Sequence, residues 1–154
     1  MKLNREVLKS IFADKYNILE ASNGIEAIDM VLENFDNIIL ILLDIIMPDA
    51  DGFYVLERMK KNGLLGKIPV ILVTSSEDAQ DEIKGYDMGV ADVIHKYPFD
   101  AHVVRRRVEN TIDLYRHRNH LNTLVESQTS IMKMQAKRLR ETSDFMIETL
   151  STVV

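Results

Sequence analysis

An α/β fold on a parallel sheet, continued by one long helix, is predicted by three observations. Apolar runs without polar alternation, "NIILILL" and "IPVILVTS", are interleaved with segments of helical period. All 6 Gly and all 3 Pro lie at or before Pro98, leaving residues 99–154 without a helix breaker. The charge divides at the same place, with 17 Asp/Glu against 10 Lys/Arg in residues 1–98 and 7 against 9 in residues 99–154.

Taken in order, "NREVLKSIFADK" places Val7, Leu8, Ile11 and Phe12 on one face of a helix. "YNILEAS" (residues 16–22) has the composition of a short strand. "SNGIEAIDMVLENF" opens on a capping Ser22 or Asn23, and its apolar face is Ile25, Ile28, Val31 and Leu32. "NIILILL" (37–43) reads as a strand covered on both faces. "DGFYVLERMKKNG" is a helix closed by Gly63. "IPVILVTS" (strand), "EDAQDEIKGYDMG" (helix) and "ADVIHK" (strand) follow. Strands alternating with helices make a sheet of parallel βα units, whose ligands sit at the carboxyl ends of the strands.

The 154 residues suffice for one well-packed domain plus an extension. No apolar stretch has the length of a membrane span and no signal peptide precedes the first element, so no membrane partner is expected. The absence of cysteine excludes disulfides and thiolate metal sites and fits a reducing cytoplasm. A net charge of −5 argues against a nucleic-acid partner for the whole chain.

Asp44, Thr74 and Lys96 each fall at the carboxyl end of a predicted strand, so three polar groups would converge on one edge of the sheet. A carboxylate can attack phosphorus to give an acyl phosphate. That chemistry calls for a hard divalent cation on oxygen ligands, and for a fixed cation and a hydroxyl near the phosphoryl oxygens. Each residue alone has an ordinary explanation: a turn cap before Pro48, a β-branched strand residue and a solvated charge. All three at successive strand ends, with Met47, Pro48 and Gly52 in the loop between, favour the site.

The stretches "LLDIIMPDADGF", "PVILVTSSED" and "GVADVIHKYPF" resemble the receiver domain of two-component response regulators, over residues 4 to about 115. The resemblance implies a flavodoxin-like, doubly wound sheet of five strands in the order 2-1-3-4-5. It implies Asp44 as phosphoacceptor, with a sensor histidine kinase or phosphotransfer protein as partner. Ile46 would lend its backbone carbonyl to Mg²⁺, Thr74 would bind the phosphoryl group and move with it, and Lys96 would pair with a phosphoryl oxygen.

Three features depart from that family. Its first strand ends in an acidic pair that holds Mg²⁺, and by spacing this pair would fall immediately before Met1. The expectation is therefore a receiver without its first strand and acidic pair, with weak or absent Mg²⁺ binding and poor phosphorylation of this chain alone. The strands at 16–22 and 37–43 would keep unpaired edges, open to a swapped or shared strand from a second copy. Val93 stands where the family has a switching aromatic, and Tyr97 is inserted between Lys96 and Pro98, so any cis bond would be Tyr97–Pro98.

The tail starts as the family's last helix, with Val104, Val108, Ile112 and Tyr115 toward the sheet. A helix from Asp100 to Val154 would run about 80 Å. Leu121, Val125, Gln128, Met132, Gln135, Leu139, Thr142, Met146, Thr149 and Val153 alternate by four and three, the seam of a dimeric coiled coil. Arg105–Arg107, Arg116, Arg118 and Lys137–Arg140 read as a solvated basic face. His117 and His120 lack a third metal ligand. "TSDFMIETLSTVV" resembles the lead-in to HD-type cyclic di-GMP phosphodiesterase domains.

The expected organisation is a receiver at 1–117 and a helical coiled-coil linker at 118–154. Its function would be to accept a phosphoryl group on Asp44 and signal through the dimerisation linker to an output domain outside this chain. No enzyme activity beyond phosphoacceptance is expected of these residues. The alternative is a phosphorylation-independent pseudo-receiver, a module for dimerisation and protein interaction.

Overall fold

Helix α1 (Arg5–Phe12) begins where the Asn4 side chain accepts a hydrogen bond from the Val7 N–H at 2.9 Å, satisfying one of the free amides of the first turn. A computed structural model describes residues 4–75 and 78–153, with side chains through residue 147 in the last helix. The further elements are α2 (Gly24–Asn34), β1 (Ile41–Asp44), α3 (Gly52–Lys61), β2 (Val70–Thr74), α4 (Ala79–Met88), β3 (Asp92–His95) and α5 (Ala101–Val153). They fall into two compact units, Met1–Tyr115 and Arg116–Val154.

In the first unit, β1, β2 and β3 form a parallel sheet in that order, with Asp44 opposite Val73 and Thr74 opposite His95. The two-residue period of a strand divides β2 between the faces. Val70 and Leu72 join Leu43 and Val93 against α2 and α3, packing on Ile28, Val31, Val55, Leu56 and Met59. Ile71 and Val73 join Ile94 on the other face, packing on Phe12 of α1 and Val104, Val108 and Ile112 of α5. Helices on both faces explain why no polar residue alternates through "VILVT", all five of whose residues are buried.

Two sequence expectations are corrected. The predicted strand at 16–22 is not a strand, and the sheet has three strands among the described residues rather than the four read from the sequence. The outer edge of β1 takes no strand partner among these residues, so the 16–22 stretch has no ladder to join. It is instead tied to α1, through Arg5 donating to the Ala21 carbonyl (3.0 Å) and the Lys9–Glu20 ion pair (2.5 Å). The predicted apolar face of α2 is also only half buried. Ile28 and Val31 enter the core, whereas Ile25 and Leu32 are 50% and 37% exposed. Ile25 lines an open groove with Leu19, Met30 and Asp49.

The cap of α2 is Asn23, whose Oδ1 accepts from the Glu26 N–H at 2.9 Å. Glu26 reaches back to accept from the Ser22 hydroxyl and the Ser22 N–H (2.7 Å), a reciprocal cap. The Ser22 hydroxyl, and then its N–H, hold the Glu26 carboxyl below the ordinary value of 4.5. A depressed carboxyl stabilises the fold above its unfolded pKa, and that contribution is lost as pH falls through the lower folded value. Glu26→Gln should therefore be less stable than the parent at neutral pH, with the gap closing below about pH 4. Urea midpoints at pH 7 and pH 3 test this, and a gap that does not narrow between them would exclude the carboxylate as its cause.

Candidate functional site

The edge formed by the carboxyl ends of the strands carries the polar groups. Asp44 closes β1, and the next residues turn immediately. The Ile46 N–H donates to Asp44 Oδ1 at 3.1 Å, and the Gly52 N–H donates to the Ile45 carbonyl at 2.9 Å, folding the loop back on the strand end. Within the loop, Asp49 adopts a left-handed φ of 63°, which an Asp tolerates better than most residues. Asp51 then caps α3, accepting from the Tyr54 N–H at 2.8 Å.

Lys96 follows β3 directly, and its N–H donates to the Thr74 carbonyl at 2.7 Å, which extends the ladder one step beyond the strand. Its ammonium donates to Asp44 Oδ2. Neither partner is sealed from water, since the side chains are 23% and 29% exposed for Lys96 and Asp44. Thr74 closes β2 one residue beyond the partner of Asp44 and is buried, at 1% exposure. The structure thus joins Asp44 and Lys96 directly and places Thr74 at the adjoining strand end. Ile46 is exposed on the loop.

Around the site, Val93 is buried among the core residues and Tyr97 is 75% exposed, ahead of a cis Tyr97–Pro98 bond. Arg107, read from sequence as a solvated cation, binds Asp92 through Nε (2.7 Å) and Nη2 (2.5 Å) and also donates to the Val93 carbonyl (2.9 Å). This fork fixes the start of β3 against α5, and Asp92 raises the guanidinium pKa further above its already high value. Arg105 is similarly engaged by the Ile11 carbonyl and Asp14. An acid at a strand start and an arginine 15 residues later carry no local signal of this pairing.

A partly exposed carboxylate at a strand end, held beside a fixed ammonium, can act as an oxygen nucleophile whose product charge is already countered. No described helix is long and apolar enough to cross a membrane. Among the described residues no three His, Cys, Asp or Glu side chains gather as a metal site.

A protein of Pyropia yezoensis named "Probable transcriptional regulator ycf29" is 38% identical over 111 residues, covering 71% of this chain and 48% of that protein. A "Probable cyclic di-GMP phosphodiesterase" of Vibrio cholerae is 28% identical over 142 residues, covering 90% of this chain and 32% of that protein. The CheX-CheY-BeF3-Mg+2 complex from Borrelia burgdorferi contains a chain that matches at 29% identity and a TM-score of 0.61, over 68% of this chain and 78% of that one. The chain spans about half the length of the first curated relatives it matches, 48% and 51%. The family model described as "Response regulator receiver domain" matches residues 1–109, and the chain belongs to that family.

Proposed function

We propose that Asp44 accepts a phosphoryl group from the phosphohistidine of a sensor kinase or phosphotransfer protein, in the cytoplasm. The observation that carries this reading is the Lys96 ammonium on Asp44 Oδ2 at the edge where β1, β2 and β3 end. A carboxylate oxygen attacks phosphorus, the P–N bond breaks, and its electron pair returns to the imidazole, leaving an acyl phosphate on Asp44. Lys96 passes from the carboxylate to a phosphoryl oxygen and counters its charge. The Thr74 hydroxyl, now buried, reaches the phosphoryl group when the end of β2 turns toward it. The added charge and acceptor oxygens then bias the local structure that partners read.

Receiver domains of the family bind Mg²⁺ at the phosphorylation site. Here the oxygen donors are the Asp44 carboxylate and the Ile46 carbonyl, and both Asp44 oxygens already accept hydrogen bonds. Mg²⁺ takes near-octahedral oxygen coordination completed by water, and one carboxylate with one carbonyl among the described residues would hold it only weakly. Val93, buried where the family has a switching aromatic, favours the second reading, a phosphorylation-independent interaction module.

The linker 118–154 would pair two copies as a coiled coil and pass the signal to an output domain beyond the receiver at 1–117. The similarity to the Vibrio cholerae protein extends over 90% of this chain, which supports a cyclic di-GMP phosphodiesterase as that output.

Intact mass after incubation with acetyl phosphate and Mg²⁺ tests the site. One phosphoryl adduct, slow to form and lost in Asp44→Asn, is expected. An adduct that survives Asp44→Asn would move the acceptor elsewhere, and no adduct at all would leave the interaction-module reading in its place.

A further inference from the structure

We infer that residues 121–147 of α5 pair with the same residues of a second copy as a parallel, in-register coiled coil. The inference rests on the proposed dimeric linker and adds its orientation. Along this part of α5 the large apolar side chains Leu121, Leu124, Val125, Ile131, Met132 and Leu139 are each 48–72% exposed, as are Phe145 and Met146. Burying eight such side chains on each of two copies removes on the order of 1,000 Å² from water, enough for a specific interface.

The heptad register separates the layers by chemistry. With Val125 at position a, the a layers are Val125, Met132, Leu139 and Met146, all apolar, and the d layers that follow are Gln128, Gln135 and Thr142, all polar. In a parallel pair a meets a and d meets d, so apolar layers alternate with polar ones. Each Gln amide then faces an identical amide, one donating and the other accepting. Thr142 is already satisfied within its own helix, its hydroxyl donating to the Arg138 carbonyl at 2.9 Å. In an antiparallel pair a faces d, which sets Met132 against Gln135, Leu139 against Gln128 and Val125 against Thr142. The first two of these layers strand a Gln amide against an apolar side chain, at a cost that the parallel arrangement avoids, and the one fully apolar layer of that register, Leu121 against Met146, does not offset it.

The flanks agree. Position g carries Leu124, Ile131 and Arg138, and the e positions that a parallel partner sets beside them are Thr129, Ala136 and Ser143. Each long g side chain therefore meets a short neighbour that leaves room for it. The Thr129 hydroxyl is likewise satisfied by the Val125 carbonyl at 2.9 Å. The remaining charges, Glu126, Lys133, Lys137, Arg140, Glu141 and Asp144, occupy b, c and f on the outer side, where Lys137 and Glu141 pair at 3.8 Å.

The chain has no cysteine, so single substitutions report proximity directly. Leu121→Cys and Met146→Cys, oxidised separately and as a mixture, distinguish the orientations. In the parallel pair each variant links to itself, roughly tenfold or more faster than the outer-face variant Lys133→Cys, because the paired layers raise the local thiol concentration. Linkage only in the mixture would leave the dimer standing and overturn its orientation, because an antiparallel pair sets position 121 beside 146. Lys133→Cys linking as fast as the other two would also overturn the parallel register. Sedimentation of the unmodified chain as a monomer would remove the dimer reading together with the inference.

Discussion

Gly52→Ala is expected to cost about 2–4 kcal/mol of folding free energy and to displace the Asp44 carboxylate in the same step. A Cβ on Gly52 would stand 2.4 Å from the Asp44 carbonyl oxygen, 3.0 Å from Ile45 Cα and 3.2 Å from the Asp44 carbonyl carbon. All three are backbone atoms, so no side-chain rotation relieves the contact. The loop cannot simply lift away either, because the Gly52 N–H is bonded to the Ile45 carbonyl and α3 is anchored by Val55, Leu56 and Met59, all fully buried. The strain has to appear as a shift of the β1 end or of the first turn of α3. A shift of the β1 end separates the Asp44 carboxylate from Lys96, which now holds it. Urea unfolding gives the stability loss, and the yield of the Asp44 phosphoryl adduct gives the displacement. A midpoint unchanged from the parent, with an unchanged adduct yield, would show that the loop absorbs the extra atom and that Gly52 does not position the site.

The sequence carried most of the first unit because its signals there are local. Unalternated apolar runs marked β1 and β2, and helical segments, with a cap at Ser22 or Asn23 before α2 and Gly63 closing α3, marked α1 through α4. Strand ends were legible in the same way, which is why Asp44, Thr74 and Lys96 could be assigned to one sheet edge from their positions alone. The failures are non-local. "YNILEAS" has strand composition, yet a strand exists only where a neighbour supplies a ladder, and the edge of β1 offers none among the described residues. The same dependence explains Ile25 and Leu32, which lie on the helical period but lack a surface to close over them. Arg107 was misread because its partner Asp92 is brought to it by the packing of α5 on the sheet. The direct Asp44–Lys96 contact spans 52 positions and was legible only as a convergence of strand ends.

Leu72→Ala should be the most damaging core substitution of the sheet, at about 2–5 kcal/mol, and it should reverse the effect of a second change at Gly85. Leu72 is fully buried on the middle strand, between Leu43 of β1 and Val93 of β3. Gly85 lies in the interior of α4, where alanine would gain about 1 kcal/mol of helix propensity. In the parent protein that gain is outweighed, because a Cβ on Gly85 would come within 2.5 Å of Leu72 Cδ1 and displace a packed side chain, costing about 1–3 kcal/mol. With Leu72→Ala the obstructing methyl is gone, and the nearest remaining atom, Val90 Cγ2, lies at an ordinary 3.5 Å. Gly85→Ala then keeps its propensity gain and fills part of the cavity. It should therefore destabilise the parent and stabilise the Leu72→Ala variant, a change of sign that only direct contact between the two positions produces. Denaturant midpoints of the parent, the two single variants and the double variant decide it. An effect of Gly85→Ala of the same sign in both backgrounds would mean that α4 moves to accommodate the new methyl, and that Leu72 and Gly85 do not set the distance between helix and sheet.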